Sequence, residues 1–308
     1  MTVAVAAAQW LKACETAGLE RSTTLHYAQH VEQHIRPFIG CLKLTQVTTP
    51  KVYAFLDELR ANGRSPEMVR RALQSLGRVF KFAKGRGLAG HNPVPDVQLK
   101  ASRRGKDRVE IPTKDELRTI INAAAGRWRP LVITALFTGL RASELRGLRW
   151  ADVDLNRKVL RVRQRADAWK VLGAPKTAAG LREVPLAPIV VNTLREWKLG
   201  CPAGDLDLVF PNGAGNVEDH ANITARGWNP VQVAAGLVSL RGKPKYNFHS
   251  LRHAAASMFI EQGMNPKRIQ TVMGHSSIQV TYDVYGHLFT DDDADQAAMQ
   301  AIQTRLLG

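Results

Sequence analysis

The stretch from Asn247 to His287 constrains this chain more than any other, because it sets chemically active residues on tightly punctuated helices. It opens Asn-Phe-His-Ser-Leu-Arg-His and closes Met-Gly-His-Ser-Ser-Ile-Gln-Val-Thr-Tyr-Asp-Val-Tyr-Gly-His. His249 and Arg252 are three apart, so a helix beginning near Asn247 projects them from one face. Gly263 ends that helix, Asn265 and Pro266 open the next as N-cap and first helical residue, and Gly274 closes it just before His275. Ser276 or Ser277 can cap a third short helix, which carries Tyr282 and Tyr285 and is broken by Gly286.

Arginine offers a planar fork that suits phosphate oxygens and keeps its charge at working pH. Histidine donates a hydrogen bond or a proton near neutrality. A tyrosine, with an ordinary pKa of about 10, is a poor nucleophile unless nearby cations stabilise the phenolate. Held together, these residue types fit covalent phosphoryl transfer. Each alone is weak evidence, since a lone histidine at a turn is more often structural and a tyrosine at a helix end is usually a packed ring with a wet hydroxyl.

Two upstream segments add to the set. Leu131 to Leu136 reads as a buried helix running into Thr138-Gly139, after which a new helix starts at or near Arg141 and contains Ser143 and Glu144. Taken alone, Arg141 and Glu144 read as a surface salt bridge. Val159 to Gln164 and Leu181 to Leu186 are strand-like, with Gly173-Ala174-Pro175-Lys176-Thr177 between them. A solvated turn lysine is the plain reading of Lys176, and Lys170 lies close by.

With these motifs in hand, the chain resembles the tyrosine recombinase, or phage integrase, family. The carriers are Thr-Gly-Leu-Arg-Ala-Ser-Glu from Thr138 to Glu144, Pro175-Lys176-Thr177 followed by Arg-Glu-Val-Pro-Leu, His249 to Arg252, Met273-Gly274-His275, and Tyr285-Gly286-His287. Met273 stands where leucine is commoner. The resemblance implies that Arg141 and Arg252 hold the scissile phosphate, that Glu144 orients the site, and that His249 and His275 are catalytic. It further implies that Lys176 is the general acid for the leaving 5′ oxygen, with Lys170 its rival. Tyr285 becomes the nucleophile, because Gly286-His287 follows it and Tyr282 falls where the family usually has an apolar residue facing the core.

Over 308 residues, 43 Lys and Arg against 27 Asp and Glu leave a net charge of +16, which points to a polyanionic partner. Both halves of the chain share the excess. Residues 1 to 100 read as all-helical, with Ser22 capping a helix that runs to Pro37, Thr49-Pro50 opening another and Ser65-Pro66 a third. The third is amphipathic, with Arg70, Arg71, Arg78 and Lys81 on its polar side. A solvated face is the bland reading; in the family, a helical core-binding domain of this kind grips DNA. Residues 101–109 form a polar, basic linker whose Arg103 and Arg104 could lie along phosphates. Residues 110–308 are expected to form the catalytic domain, opening with a capping-box spacing at Thr113 and Glu116.

A length of 308 residues fits two domains, and no apolar run of about 18 residues marks a membrane span. Cys14, Cys41 and Cys201 are scattered and odd in number, so neither a disulfide framework nor a zinc ribbon is indicated. The expected location is the cytoplasm. The chain starts almost directly at the core-binding domain, which favours a simple or Xer-like system or a truncated piece of a longer protein.

The expected fold is mainly α with a small antiparallel sheet: a helical core-binding (SAM-like) domain and a catalytic domain of the DNA breaking-rejoining type. The expected function is site-specific recombination through a 3′-phosphotyrosyl intermediate, with no cofactor and no metal. Double-stranded DNA is the expected partner, with assembly as a homotetramer on paired sites and room for accessory DNA-bending or excision factors. A type IB topoisomerase, which relaxes supercoils with the same chemistry, and a non-catalytic DNA-binding protein are the alternatives. A metal nuclease built on His249, His253, His275 and His287 fits poorly, because Arg252 sits among them and no carboxylate pair accompanies them.

Overall fold

The computed structural model describes residues 1–99, 110–286 and 292–307; the linker arginines Arg103 and Arg104, and His287, lie outside the described residues. The chain divides into two compact units, Met1–Asp107 and Arg108–Gly308. Among the described residues, no helix is long and apolar enough to cross a membrane.

Among the described residues of the first unit, the regular elements are all helical. Helix α1 (Val3–Thr16) starts where the Thr2 hydroxyl accepts from the Val5 amide, and it buries Val3, Ala6, Ala7, Trp10 and Cys14 along one stripe. Helix α2 (Arg21–His30) has Glu20, not Ser22, at its N-cap. Ser22 falls inside the first turn and its hydroxyl donates to Glu20 instead. The helix is then interrupted by a wider turn over Val31–Ile35, which buries His34 and Ile35, before α3 (Arg36–Ile39) takes Pro37 into its first turn. Helix α4 (Thr49–Ala61) buries Val52, Phe55, Leu56 and Leu59.

Helix α5 (Pro66–Gly85) is capped by the Ser65 hydroxyl and lays Val69, Ala72, Leu73, Leu76, Val79 and Phe80 into the core. Arg70, Arg71, Arg78 and Lys81 all remain exposed on its other side. Two of them have local partners, since Arg70 and Arg71 both reach Glu67, at 2.7 and 2.8 Å. Exposed pairs of this kind contribute little to stability.

In the second unit, helix α6 (Lys114–Ala123) begins with a complete capping box between Thr113 and Glu116. Helix α7 (Trp128–Thr138) is buried on almost every side, as its continuous apolar sequence requires, and ends at Gly139 in the left-handed conformation. Helix α8 (Ala142–Arg146) follows at once, with Arg141 as its N-cap residue. Strands β1 (Val153–Asp154) and β2 (Val159–Val162) lead to β3 (Arg165–Ala166), β4 (Leu172–Gly173) and β5 (Arg182–Pro185). The antiparallel sheet has the order β1-β2-β5, with Leu160 opposite Val184 and Val162 opposite Arg182.

Lys176 is not at the tip of a simple hairpin. The insertion between β2 and β5 forms its own antiparallel pair, β3 with β4, whose tip is Asp167–Val171. The Asp167 carboxylate accepts from the Trp169 and Val171 amides and closes that turn. Lys176 follows β4, on the way back to the sheet.

Helix α9 (Pro188–Gly200) packs on α7. Helices α10 (His220–Asn222) and α11 (Asn229–Ala234) flank a widened turn that buries Trp228 edge-on to Phe248. Helix α12 (Ser250–Glu261) also packs on α7, α13 (Pro266–Met273) is capped by the Asn265 side chain, and α14 (Ile278–Tyr285) starts after Ser277. Gly286 is right-handed, at φ −53°, so it does not break the helix by the left-handed route its residue type allows. The last element is α15 (Asp292–Leu307).

Gly139 is the turn on which this packing closes. Its φ is +64°, and a Cβ there would stand 2.6 Å from the Met273 sulfur and 3.3 Å from the Ala255 Cβ. Gly139→Ala is expected to cost about 1–2 kcal/mol from the left-handed backbone alone, with more from displacing Met273. Thermal unfolding checks this; an unchanged midpoint would show that the turn relaxes freely.

Candidate active site

The site is organised around one buried carboxylate. Glu144, on the first turn of α8, is 3% exposed and accepts from two arginines that come from different parts of the unit. Arg182, on β5, sends Nη1 and Nη2 to the two Glu144 oxygens at 3.1 and 2.8 Å, the parallel fork that suits a carboxylate. Arg141 donates its own amide to Glu144 Oε2 at 2.9 Å and its Nη1 to Oε1 at 2.8 Å. Burial by itself would raise the Glu144 carboxyl; the Arg182 hydrogen bonds, and then the Arg182 and Arg141 charges, hold it below the usual carboxylate range.

Arg182 also spans the unit. Its Nε donates to the Val272 carbonyl at 2.6 Å and its Nη1 to Gly180 at 3.0 Å. The strand carrying the Lys176 loop is thereby fixed to the end of α13. Arg141 reaches the same place from the other side, donating Nη2 to the Gly274 carbonyl at 2.9 Å. Its side chain stays 38% exposed, whereas that of Arg182 is 1% exposed, so Arg141 is the one of the pair that can meet a ligand.

Arg252 is buried on α12 and spends two donors on carbonyls at helix ends, Gly139 at 2.5 Å and Met273. Carbonyls at helix C-termini lack intrahelical partners and carry partial negative charge, so they hold a guanidinium well. Burial, and next the charge of Arg141, push its pKa down to about 9, which leaves it protonated at neutral pH.

The three histidines differ. His275 is buried in the turn after α13, with Nδ1 2.9 Å from the Thr281 hydroxyl; burial first and then Arg252 and Arg141 push it down to about 3. His249, at the N-cap of α12, keeps part of its ring in solvent. Atoms crowded around the rest of that ring, and then His253, Arg252 and Arg141, push it down to about 4. Both are neutral at working pH, able to donate one hydrogen bond and accept another. His253, which the sequence offered only as a ligand in the poorly fitting metal set, stands edge-on to His249 with ring centroids 4.9 Å apart.

The two tyrosines exchange the places expected for them. Tyr285 is 2% exposed and Tyr282 is 44% exposed, so the packed ring is Tyr285. The Tyr285 hydroxyl lies 2.6 Å from His253 Nδ1. Burial pushes its pKa up to about 12, with Arg252 opposing, so the phenol is protonated at rest.

Lys176 is exposed and helps line a cavity with Arg141, Glu144, Arg165, Gly274 and Ser276. Lys170, at the left-handed corner of the β3–β4 turn, faces Asp219 at 3.5 Å instead. Sequence reasoning missed Arg182 and His253. A signal existed for Arg182, since strand alternation puts it on the same face as buried Val184 and a buried arginine requires an acid. For His253 the signal was helical spacing, four residues from His249.

Replacing Glu144 by Gln withdraws the anion from between two guanidiniums and is expected to cost on the order of 3 kcal/mol, as when one partner of a buried pair is removed. Because the folded-state pKa is lowered, the contribution is complete above the ordinary value of 4.5 and is lost as pH falls through the folded value. Unfolding midpoints of wild type and Glu144→Gln should therefore converge on the acid side. A gap that ignores pH would overturn this account.

Comparison with known proteins gives the same direction. Residues 111–291 match the phage integrase family and residues 3–100 the phage integrase central domain. A XerC-like tyrosine recombinase of Caldanaerobacter subterraneus subsp. tengcongensis is 24% identical, over 91% of this chain and 77% of that protein. The prophage integrase IntR of Escherichia coli is 27% identical over 80% of this chain and 64% of its own length, and XerC of Xylella fastidiosa is 29% identical over 77% and 76%. In fold, the chain superposes on the Tn1549 transposon integrase in complex with a circular intermediate DNA, with a TM-score of 0.82 at 22% identity, over 98% of this chain and 99% of that one. A lambda integrase dimer bound to a COC′ core site gives 0.69 at 22% identity, over 91% and 97%. With both of its units matched in order, the chain belongs to the phage integrase family, the tyrosine recombinases.

Proposed function

We propose that this protein is a site-specific DNA recombinase in which Tyr285 attacks a backbone phosphate of double-stranded DNA. The observation that carries the reading is the convergence of Arg141 and Arg252 with the Tyr285 hydroxyl in one cation-rich site whose only carboxylate, among the described residues that hydrogen-bond these arginines, is Glu144.

In this reading the guanidinium of Arg141, with the positive field of Arg252 behind it, takes up the charge that develops on the phosphate oxygens. His249 and His275, held neutral, supply hydrogen bonds. The Tyr285 oxygen bonds to phosphorus, the bond to the 5′ oxygen breaks, and Lys176 supplies the proton that the leaving oxygen needs. The product is a 3′-phosphotyrosyl ester and a free 5′ hydroxyl. The ester conserves the bond energy, so a second 5′ hydroxyl reverses the step on a new strand without ATP. Support for Lys176 over Lys170 comes from its place on the Arg141 cavity, while Lys170 faces Asp219.

DNA as the partner fits the net charge of +16 and the exposed Arg70, Arg71, Arg78 and Lys81 along α5. The Tn1549 and lambda integrases are described bound to DNA, lambda integrase also as a tetramer on a Holliday junction. For this chain we assign two roles on that basis: residues 1–100 as a DNA-gripping domain, and assembly as a homotetramer on paired sites. Helix α15 supplies a surface for that assembly, since Met299, Ile302, Leu306 and Leu307 are all exposed on it.

Two outcomes follow. On a nicked suicide duplex, Tyr285→Phe should bind DNA normally and form no covalent complex, while Tyr282→Phe should form it as wild type does, in EDTA as well as without it. A nucleotide adduct mapped by mass spectrometry to Tyr282 sinks the assignment. Truncation after Thr290 should weaken recombination more than binding to a single site. Equal losses in both would place α15 in the folding core of the monomer.

A further inference from the structure

The proposed reaction leaves one proton without a destination, the one on the nucleophile. Among the described residues, the hydrogen bond recorded at the Tyr285 hydroxyl is to His253 Nδ1, at 2.6 Å. His253 lies one turn along α12 from His249 and next to Arg252, so the helix that carries the arginine backing the site also carries this imidazole. Its ring is set by two contacts, the edge-on stack with His249 and a tilted contact with the Tyr285 ring at 5.7 Å.

We propose that His253 is the general base for Tyr285, accepting the phenolic proton at Nδ1 as the tyrosine attacks and returning it when the ester is resolved. This rests on Tyr285 being the nucleophile, as argued above.

The direction of the resting hydrogen bond agrees with that role. The phenol is fully protonated, and burial followed by the Arg252 charge lowers the His253 pKa, so the imidazole is neutral. A buried hydroxyl needs an acceptor, and Nδ1 is the one placed to receive it, which assigns the remaining proton of the ring to Nε2. In the forward step the O–H bond breaks, Nδ1 takes the proton, the Oη–P bond forms, and the P–O5′ bond breaks. In the reverse step the imidazolium gives the proton back to the departing phenolate.

The surroundings explain why the transfer waits for substrate. The charged and titratable groups facing His253 are Arg252 and His249 from α12, His275 from the turn after α13 and Tyr285 from α14. Arg252 is the one fixed cation among them, and it disfavours an imidazolium. A DNA phosphate held by Arg141 in front of Arg252 supplies the compensating anion, so the base strengthens as the substrate binds.

The test uses the full chain and a nicked suicide duplex, following formation of the covalent complex. His253→Gln keeps a polar side chain without a titratable nitrogen; it is expected to bind the duplex as wild type does and to form the complex on the order of 10²-fold more slowly, the usual contribution of a general base. His253→Ala opens space for a small base, and added imidazole should restore part of its rate in proportion to the neutral fraction of the imidazole. A merely structural histidine would not produce that rescue. His253→Gln reacting at the wild-type rate overturns the proposal, and so does faster reaction, which would mean that the bond stores the tyrosine rather than activating it. Mapping the wild-type adduct separates the two readings: an adduct on another residue removes Tyr285 and His253 together, whereas an adduct on Tyr285 with an unimpaired His253→Gln removes the base alone.

Discussion

The buried carboxylate of Glu144 holds the candidate active site in working order. Three buried or half-buried arginines converge near it, and like charges in so small a volume would repel one another strongly in a medium of low polarisability. Glu144 pairs directly with two of them, Arg141 and Arg182. The third, Arg252, is held by carbonyl oxygens at helix ends. The result is a site whose cations are compensated enough to fold and still carry a net excess. That excess is what a phosphodiester requires.

The division of labour among the arginines follows from their exposure. Arg182 is wholly enclosed and ties strand β5, helix α8 and the end of α13 into one frame. Arg141 shares the same carboxylate but keeps part of its side chain in the cavity. A guanidinium held by a carboxylate and by the Gly274 carbonyl, yet still partly exposed, loses little freedom when it takes a ligand, since its orientation is already fixed.

Much of this was legible before the fold was known, and the limits are physical. Helix punctuation was strong wherever a side chain or a glycine determined the end: Ser65, Thr113, Asn265, Gly139 and Gly274 all stand at the caps their residue types favour. Ser22 misled because a serine in the first turn competes with the true cap, and Glu20 occupies that position. The β3–β4 pair was missed because two-residue strands carry no periodicity to detect. Tyr282 and Tyr285 could not be separated by spacing, and the choice of which ring is enclosed is made by contacts from α12 and α13, outside their own helix. Arg182 was hidden for the same reason, since its partners lie 38 and 90 residues away.

The grip on Arg252 has a consequence for how such a sequence can vary. Both of its anchors are main-chain oxygens, one from the left-handed turn at Gly139 and one from Met273 at the end of α13. A carbonyl is the same whatever side chain its residue bears. Position 273 is therefore open to any apolar side chain that fits, and methionine in place of leucine is no loss. The number of residues in the Thr138–Arg141 and Met273–His275 turns is a different matter, because one insertion in either would carry an oxygen away from the guanidinium. Around this arginine the chain is constrained in its length before it is constrained in its letters.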